Sequence, residues 1–440
     1  MHHWRGRRHH SGYSRLENRR GRARKGSQGS PRNVGQNRNC LNETHTPRDS
    51  ILNMSTRERK KANMSRTHRI LHVIDKLSMD GVNPSSVALC FIEWFKHADT
   101  RRFEVMASVL RPPDAASKHL EDNGVRLFYI DKGKYSFANV GAIADLVKRE
   151  KIDLLHLHGY SAANFGRLAA KRVKIPALVH EWAILKIQPH QFVMDWLLRN
   201  RTDLAVGVSE SVREFLVSGR HVPAGKTSVV WNGVNLNNFK TADPAKVKAF
   251  REKFGLADHQ LVIGTMTRLR EEKGNRYFVE AAGKVAQEYP EARFIIAGDG
   301  PLREELEALA MKLNLKGKLH FAGFVSEVAA AFAAFDIAVM ASLTEGFPFA
   351  LAEAMAAGKP VVVTAVGGMK EMVQHEVNGL LVPAADSAAL AQGWLRLLRD
   401  AALREKFSKA ARERSQAFSV ERNVMALEEL YSKLMSNGRA

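Results

Sequence analysis

Two cysteines in 440 residues, Cys40 and Cys90, cannot build a disulfide framework, and neither belongs to a Cys-x-x-Cys pair. Disulfide stapling and a cysteine-held metal are therefore not how this chain is organised, and a reducing cytoplasm suits it. Long apolar runs are missing too. The longest, Val328 to Leu343, is interrupted by Asp336 and falls short of the roughly 20 residues a membrane-spanning helix needs. No apolar core of the secretory-signal kind follows the basic N-terminus. Nor does an Asp-x-Asp pair stand at a strand end, where its carboxylates would seat a divalent cation.

Acidic residues are scarce in one region. Residues 1–63 carry sixteen Lys/Arg and four Asp/Glu, so more than half of the net charge of +21 lies there. The stretch has few apolar residues and no periodicity, too little to bury a core. Three readings of it stay open: an arm binding nucleic acid or anionic lipid through its arginines, a linker, or a start-site artefact with the natural start at Met64. The rest of the chain keeps a moderate basic excess, which suits substrates carrying phosphate.

From residue 69 short β-branched runs alternate with amphipathic stretches. The runs read as buried parallel strands: 70–75, 103–110, 127–131, 154–158, 177–181, 204–209 and 228–232 in a first half, then 261–267, 293–297, 319–321, 337–341, 361–364 and 380–382 in a second. Helices are predicted between most of them, among them 139–149, 162–173, 276–288, 302–313, 348–357 and 388–399, with a last one over 420–434. Asn232-Gly233-Val234 closes the first half, and a polar segment to Asp243 links it to the second. The pattern is an α/β chain of two doubly wound, Rossmann-like domains in tandem. Ligands of such sheets bind at the carboxyl ends of the strands, so two facing halves place a ligand in an interdomain cleft.

Five clusters stand at strand ends. Thr267-Arg268-Leu269-Arg270-Glu271-Glu272-Lys273-Gly274 follows the second half's first strand and offers a guanidinium and an ammonium, the pair a diphosphate needs. Ser342-Leu343-Thr344-Glu345-Gly346-Phe347-Pro348-Phe349 leads into a helix carrying Glu353. Pro348 is expected at its first position and Glu345 beside its free N–H groups. One carboxylate can grip sugar hydroxyls and the other ribose hydroxyls, with phosphate at the helix terminus between them. Gly298-Asp299-Gly300-Pro301 makes a tight turn that is not a G-x-G-x-x-G fingerprint, and its role reads as mainly structural. His156-Leu157-His158-Gly159 ends a strand of the first half with both imidazoles on one side, and His158 is expected to point into the cleft. The loop Met79-Asp80-Gly81-Val82-Asn83-Pro84 follows the first strand and could approach a phosphate through its backbone.

These clusters, in this order, resemble glycosyltransferase family 4, retaining enzymes of the GT-B fold. The most specific match is Glu345 and Glu353 at the spacing Glu-x7-Glu, joined by Arg268 with Lys273-Gly274, Gly298-Asp299-Gly300-Pro301, Asn232-Gly233-Val234, and Gly367-Gly368 with Glu371. The resemblance implies transfer of a sugar from a nucleoside diphosphate sugar to a glycan, lipid-linked or cell-envelope acceptor, with retention of anomeric configuration. In that reading Arg268 and Lys273 neutralise the leaving diphosphate. Glu345 holds the transferred sugar with the Gly346, Phe347, Pro348 and Phe349 backbone around it, and Glu353 binds the ribose. Phe324 and Val325 meet the base, His158 contacts the sugar, and Gly81 and Gly298 lie near the donor. Asp80 stands where that family commonly has a second glycine, which puts the Gly81 contact in doubt. No cofactor or essential metal is implied.

The domains so read are a disordered basic extension over 1–68, an acceptor-side half over 69–240, a nucleotide-sugar-binding half over 241–418, and a terminal helix over 419–440 with the option of crossing back to the first half. Expected partners are the nucleotide-sugar donor and a glycan or lipid-linked acceptor. Nucleic acid is not expected. The expected location is the cytoplasm, with peripheral membrane contact through the aromatic and basic segment Trp182 to Arg201 and through Lys132, Lys134 and Tyr135; the alternative is that those aromatics pack on the sheet. Two rival functions are a GT-B epimerase or hydrolase of nucleotide sugars and a nucleic-acid-binding protein acting through the basic tail.

Overall fold

A computed structural model describes residues 66–78, 84–133 and 135–437; the expectations for the extension before residue 66, for Gly81 and for Lys134 lie outside the described residues. Among these residues thirteen strands form two sheets. The first joins β1 (His68–Ile74), β2 (Phe103–Val109), β3 (Leu127–Tyr129), β4 (Leu154–His158), β5 (Ala177–Glu181), β6 (Leu204–Gly207) and β7 (Thr227–Val229) in the order β3-β2-β1-β4-β5-β6-β7. The second joins β8 (Val262–Met266), β9 (Arg293–Ala297), β10 (Leu319–Gly323), β11 (Ile337–Met340), β12 (Val361–Thr364) and β13 (Leu380–Val382) in the order β10-β9-β8-β11-β12-β13. Every pairing is parallel. Each predicted strand is present.

Parallel strands covered on both faces read as continuous apolar runs, and the packing shows why. Alternate residues of one strand enter different cores: Ile70 and Ile74 face one side of the first sheet, Leu71 and Val73 the other. The second sheet repeats this, with Val361 and Val363 on one face and Val362 on the other. In both sheets the chain order reverses beside the first strand, between β1 and β4 and between β8 and β11, and those switch points are where a ligand crevice opens.

Some strand ends differ from the expected ones, and the end of β7 is the most informative. β7 stops at Val229 and not at Asn232, and Val234 beyond it pairs with the turn that leads into the last helix: its N–H donates to the Phe418 carbonyl at 2.9 Å and its carbonyl accepts from Val420 N–H at 3.1 Å. Gly233 is needed at this crossing, since a Cβ there would lie 2.5 Å from Val420 Cα. The helix beyond, Val420–Asn437, packs on the first sheet. Val420, Val424, Leu427 and Tyr431 share a core with Ile70, Phe91 and Leu154, and Asn423 accepts from Trp94 Nε1 at 2.6 Å.

Candidate active site

The second half's switch point is built by backbone approach. After β8 the chain makes a single turn over Glu271–Lys273, and Gly274 follows with φ 61°. A Cβ on Gly274 would lie 2.0 Å from the Ala341 carbonyl, so the loop after β8 runs directly against the end of β11. Leu343 N–H donates to the Glu272 carbonyl at 2.9 Å and ties the two loops. This closeness sets the Lys273 ammonium 2.5 Å from Glu345 Oε1, with the two side chains 17% and 10% exposed. Ser342 Oγ donates to the same oxygen at 2.8 Å, and Thr364 Oγ1, at the end of β12, donates to the Ser342 carbonyl at 2.5 Å. Glu345 is thus oriented by two donors, and the Lys273 charge is fixed in advance of any substrate.

Arg268 is not drawn into this cluster. Its side chain is 55% exposed and meets Glu272 only at 3.9 Å, while its carbonyl accepts from Asn275 Nδ2 at 2.9 Å. A loosely paired, exposed guanidinium and a tightly held, largely buried ammonium are two cations of different mobility on one loop.

The helix after Glu345 runs from Phe349 to Ala356 with Pro348 as its N-cap, one residue before the predicted helical position, and no side chain caps it. Its first N–H groups have no acceptor within the helix. Phe347 is buried and its ring meets Phe418 at 5.6 Å, so only its main chain is available to a ligand. Glu353 sits one turn in, and burial lifts its carboxyl to about 7. A carboxylate accepts two hydroxyl hydrogen bonds whereas a carboxylic acid must donate its proton. On the ribose-binding role that the family resemblance implies for Glu353, nucleotide affinity is expected to rise with pH through about 7 and to level off above it, and Glu353→Gln should flatten that dependence; isothermal titration from pH 6 to pH 8.5 reads both.

Gly298 has φ 134°, and a Cβ there would fall 1.7 Å from the Thr267 carbonyl; its N–H donates to the Gly323 carbonyl at 2.7 Å. It clamps the ends of β8, β9 and β10 together. Past that clamp Phe324 is 75% exposed, while Val325 packs against the core.

In the first half the switch point is occupied. Asp75, just after β1, accepts from Ser161 N–H at 3.1 Å and Ala162 N–H at 2.5 Å, which caps the helix Tyr160–Val173. A carboxylate in that position repels phosphate, whereas the equivalent terminus at Phe349 is open. His158 is not free in a cleft. It is buried, because β4 is central and its alternate residues His156 and His158 face inward together. Its Nε2 lies 3.0 Å from His72 Nδ1 and its Nδ1 accepts from Trp182 Nε1 at 3.3 Å. The ligand atoms of His72, His156 and His158 lie within 4.8 Å of one another, a spacing a metal ion could bridge.

The two sheets' loops meet at a glycine: a Cβ on Gly346 would lie 2.2 Å from the Trp182 carbonyl. Within the second half, a Cβ on Gly367 would lie 1.8 Å from the Glu345 carbonyl. Glu371 of the second half accepts from Glu210 N–H at 2.9 Å, Ser211 N–H at 3.1 Å and Trp231 Nε1 at 3.2 Å, so it helps to cap the first half's helix Glu210–Ser218. Ser342 and Thr364 carry no sequence signal for their supporting roles. Glu371 stood out beside Gly367-Gly368, but its partners lie about 160 residues away in the chain.

Residues 246–414 match the glycosyl transferases group 1 family and residues 90–238 match Glycosyltransferase Family 4. A 2-deoxystreptamine glucosyltransferase of Streptomyces kanamyceticus is 30% identical over 276 residues, 58% of this chain and 71% of the relative. The chain belongs to the group 1 glycosyltransferases. It is an enzyme of the GT-B type. The UDP-Gal:alpha-D-GlcNAc-diphosphoundecaprenol alpha-1,3-galactosyltransferase of Escherichia coli is 28% identical over 72% of this chain and 86% of its own length. An uncharacterized glycosyltransferase of Methanocaldococcus jannaschii is 34% identical over 48% of this chain and 55% of its own length. The crystal structure of Anabaena HepE in complex with UDP superposes with a TM-score of 0.73, at 24% identity, covering 83% of this chain and all of that one. The GT-B fold is therefore shared.

Proposed function

We propose that this glycosyltransferase takes its sugar from a nucleoside diphosphate sugar and passes it, with retention of configuration, to a lipid-linked or cell-envelope acceptor. The observation that carries the reading is the Lys273–Glu345 pair beside the uncapped helix at Phe349. Breaking a glycosyl–phosphate bond loads negative charge on the departing diphosphate, and Lys273, Arg268 and the helix N–H groups are the positive groups at hand to meet that charge. These cations do the work a divalent metal would do, so activity is expected to withstand chelators. Glu345 is the acceptor for sugar hydroxyls and Glu353 for the ribose. HepE was solved with UDP and the E. coli relative acts on a polyprenyl-linked acceptor, which supports both halves of the reading. Incubating the enzyme with UDP-sugars and a polyprenyl diphosphate sugar tests it. An α-configured product from an α-donor, seen in the anomeric proton coupling, is expected; an inverted product removes retention, and sugar release that no acceptor diverts removes transfer.

The acceptor side bears on where the enzyme works. The helix Pro189–Leu198 leaves Phe192, Val193, Trp196 and Leu197 about half exposed, and Leu185 before it 53% exposed. Only Trp182 of the segment's tryptophans packs inward. The helix's one acid, Asp195, is buried against Arg220 at 3.0 Å, so no acid faces outward, while Lys186 and Arg201 are exposed and Arg199 covers the Trp196 ring at 4.1 Å. Among the described residues no helix is long and apolar enough to cross a membrane. An apolar face with a basic rim suits the surface of an anionic bilayer. Trp196 fluorescence of the full chain, isolated by difference with Trp196→Phe, should be quenched by brominated acyl chains in anionic vesicles. Phe192→Ser with Leu197→Ser should abolish that quenching. Unquenched Trp196 at low salt would remove the membrane contact.

A further inference from the structure

One polar feature of the first half lies outside the donor site: four imidazoles and a phenol buried under the helices Ser86–His97 and Val420–Asn437. Their contacts run in series. Trp182 Nε1 lies 3.3 Å from His158 Nδ1, and His158 Nε2 lies 3.0 Å from His72 Nδ1. His72 Nε2 lies 3.4 Å from the Tyr431 hydroxyl, which is 2.7 Å from His156 Nδ1. His156 Nε2 is 3.0 Å from His180 Nδ1, and His180 Nε2 is buried without a protein partner.

Proton accounting gives this series one direction. An indole only donates. His158 Nδ1 must therefore accept, so a neutral His158 carries its proton on Nε2 and donates to His72 Nδ1. His72 then carries its proton on Nε2 and donates to the Tyr431 oxygen. The phenol donates onward to His156 Nδ1, whose Nε2–H donates to His180 Nδ1. The tautomers are assigned by this network, and each follows from its neighbour. Every lone pair on these rings is already accepting a hydrogen bond, so the trio His72, His156 and His158 has none left for a metal in this arrangement. The rings are neutral because burial pushes His180 down to about 3, and burial with repulsion from the neighbouring imidazoles pushes His72 down to about 3 and His156 and His158 well below the ordinary range.

The series starts and finishes at one residue. Trp182 heads it through its indole N–H, and the last ring, His180, stacks on that indole with centroids 4.6 Å apart. The Trp182 carbonyl in turn lies against Gly346, next to Glu345. We propose that this one-way chain of four histidines and Tyr431 holds Trp182, and through it the Gly346 turn, from the terminal helix, so that Tyr431, His72 and His156 are positioning residues for transfer. The inference rests on the glycosyltransferase reading of the Glu345 loop. Around the chain, the helix Ser86–His97 contributes the uncharged rings of Phe91 and Trp94 and the Cys90 thiol, which burial keeps protonated. The terminal helix contributes Glu428, a turn before Tyr431, whose carboxylate accepts from Asp99 N–H at 2.8 Å.

Two measurements on the full chain test it. Long-range proton–nitrogen NMR of histidine-labelled protein at pH 7.5 should show these four residues neutral and protonated on Nε2; one of them protonated on Nδ1, or on both nitrogens, overturns the chain. This readout needs no substrate, so it is independent of the proposed reaction. Tyr431→Phe removes the hydroxyl and keeps the ring. It should lower kcat about tenfold with donor KM within about twofold, as a small displacement of a reacting geometry does. It should also shift the acid limb of kcat to higher pH, because His156 Nδ1 loses the donor that kept it neutral. A folded Tyr431→Phe enzyme with unchanged kcat and acid limb, whatever its melting temperature, makes the chain packing alone and overturns the proposal.

Discussion

Lys273→Ala is expected to lower kcat/KM by about 10²–10³, the scale on which removing one preorganised donor from a developing anion acts. Glu345→Gln should lose a comparable factor, because the amide keeps the shape but replaces one acceptor oxygen with a donor. Both side chains stand on loops at the ends of β8 and β11, outside the apolar cores, so the variants should still melt cooperatively. They are coupled, however. Lys273→Ala leaves Glu345 with only Ser342 as donor, and an uncompensated, largely buried charge destabilises. The double variant Lys273→Ala with Glu345→Gln should therefore recover melting temperature relative to Lys273→Ala while remaining inactive. Such non-additivity in stability with no rescue of activity is the signature of a paired site that also does chemistry. Steady-state transfer assays and thermal melts of all three variants check it. Near-full activity in Lys273→Ala would show that the ammonium is not what meets the leaving group.

A second large effect is expected from a residue that touches no substrate. Gly367 has φ 45°, and a Cβ on it would lie 1.8 Å from the Glu345 carbonyl. Gly367→Ala must push the Glu345 turn away by more than 1 Å, and a displacement of that size at a reacting centre costs about 10²-fold. The backbone strain of alanine at positive φ contributes separately, about 1–2 kcal/mol. Gly124→Ala isolates that second part, since Gly124 has φ 84° with open space where the Cβ would go. Gly124→Ala should lose a few degrees of melting temperature and no activity; Gly367→Ala should lose both. Equal activity in the two variants would mean that the Glu345 turn tolerates the shift.

The glycosyltransferase family and the doubly wound architecture were legible because their signals are local. β-Branched runs such as Val361–Thr364 declare buried parallel strands by composition alone, and Glu345 and Glu353 are separated by a turn and a helix whose geometry their spacing carries. The end of β7 was misplaced by the same local reasoning: Asn232–Val234 looks like the last residues of a strand, and only the approach of Phe418–Val420 shows what it pairs with.

His158 marks the limit most clearly. Alternation along β4 places His156 and His158 on one face, but nothing in the sequence says whether that face meets solvent or a helix. The terminal helix decides it, by bringing Tyr431 from 275 residues away to 2.7 Å from His156. Periodicity and composition along the chain thus determined which segments are strands, which helices start at the carboxyl ends of those strands and which charges stand there. Tertiary structure alone decided that Lys273 holds Glu345, that Glu371 caps a helix of the other half, and that the first half's switch point is closed by Asp75. Those are contacts between loops that hydrogen bonds and close glycine approach bring together, and the pairing of such groups across a fold leaves no periodic trace in the residues that make it.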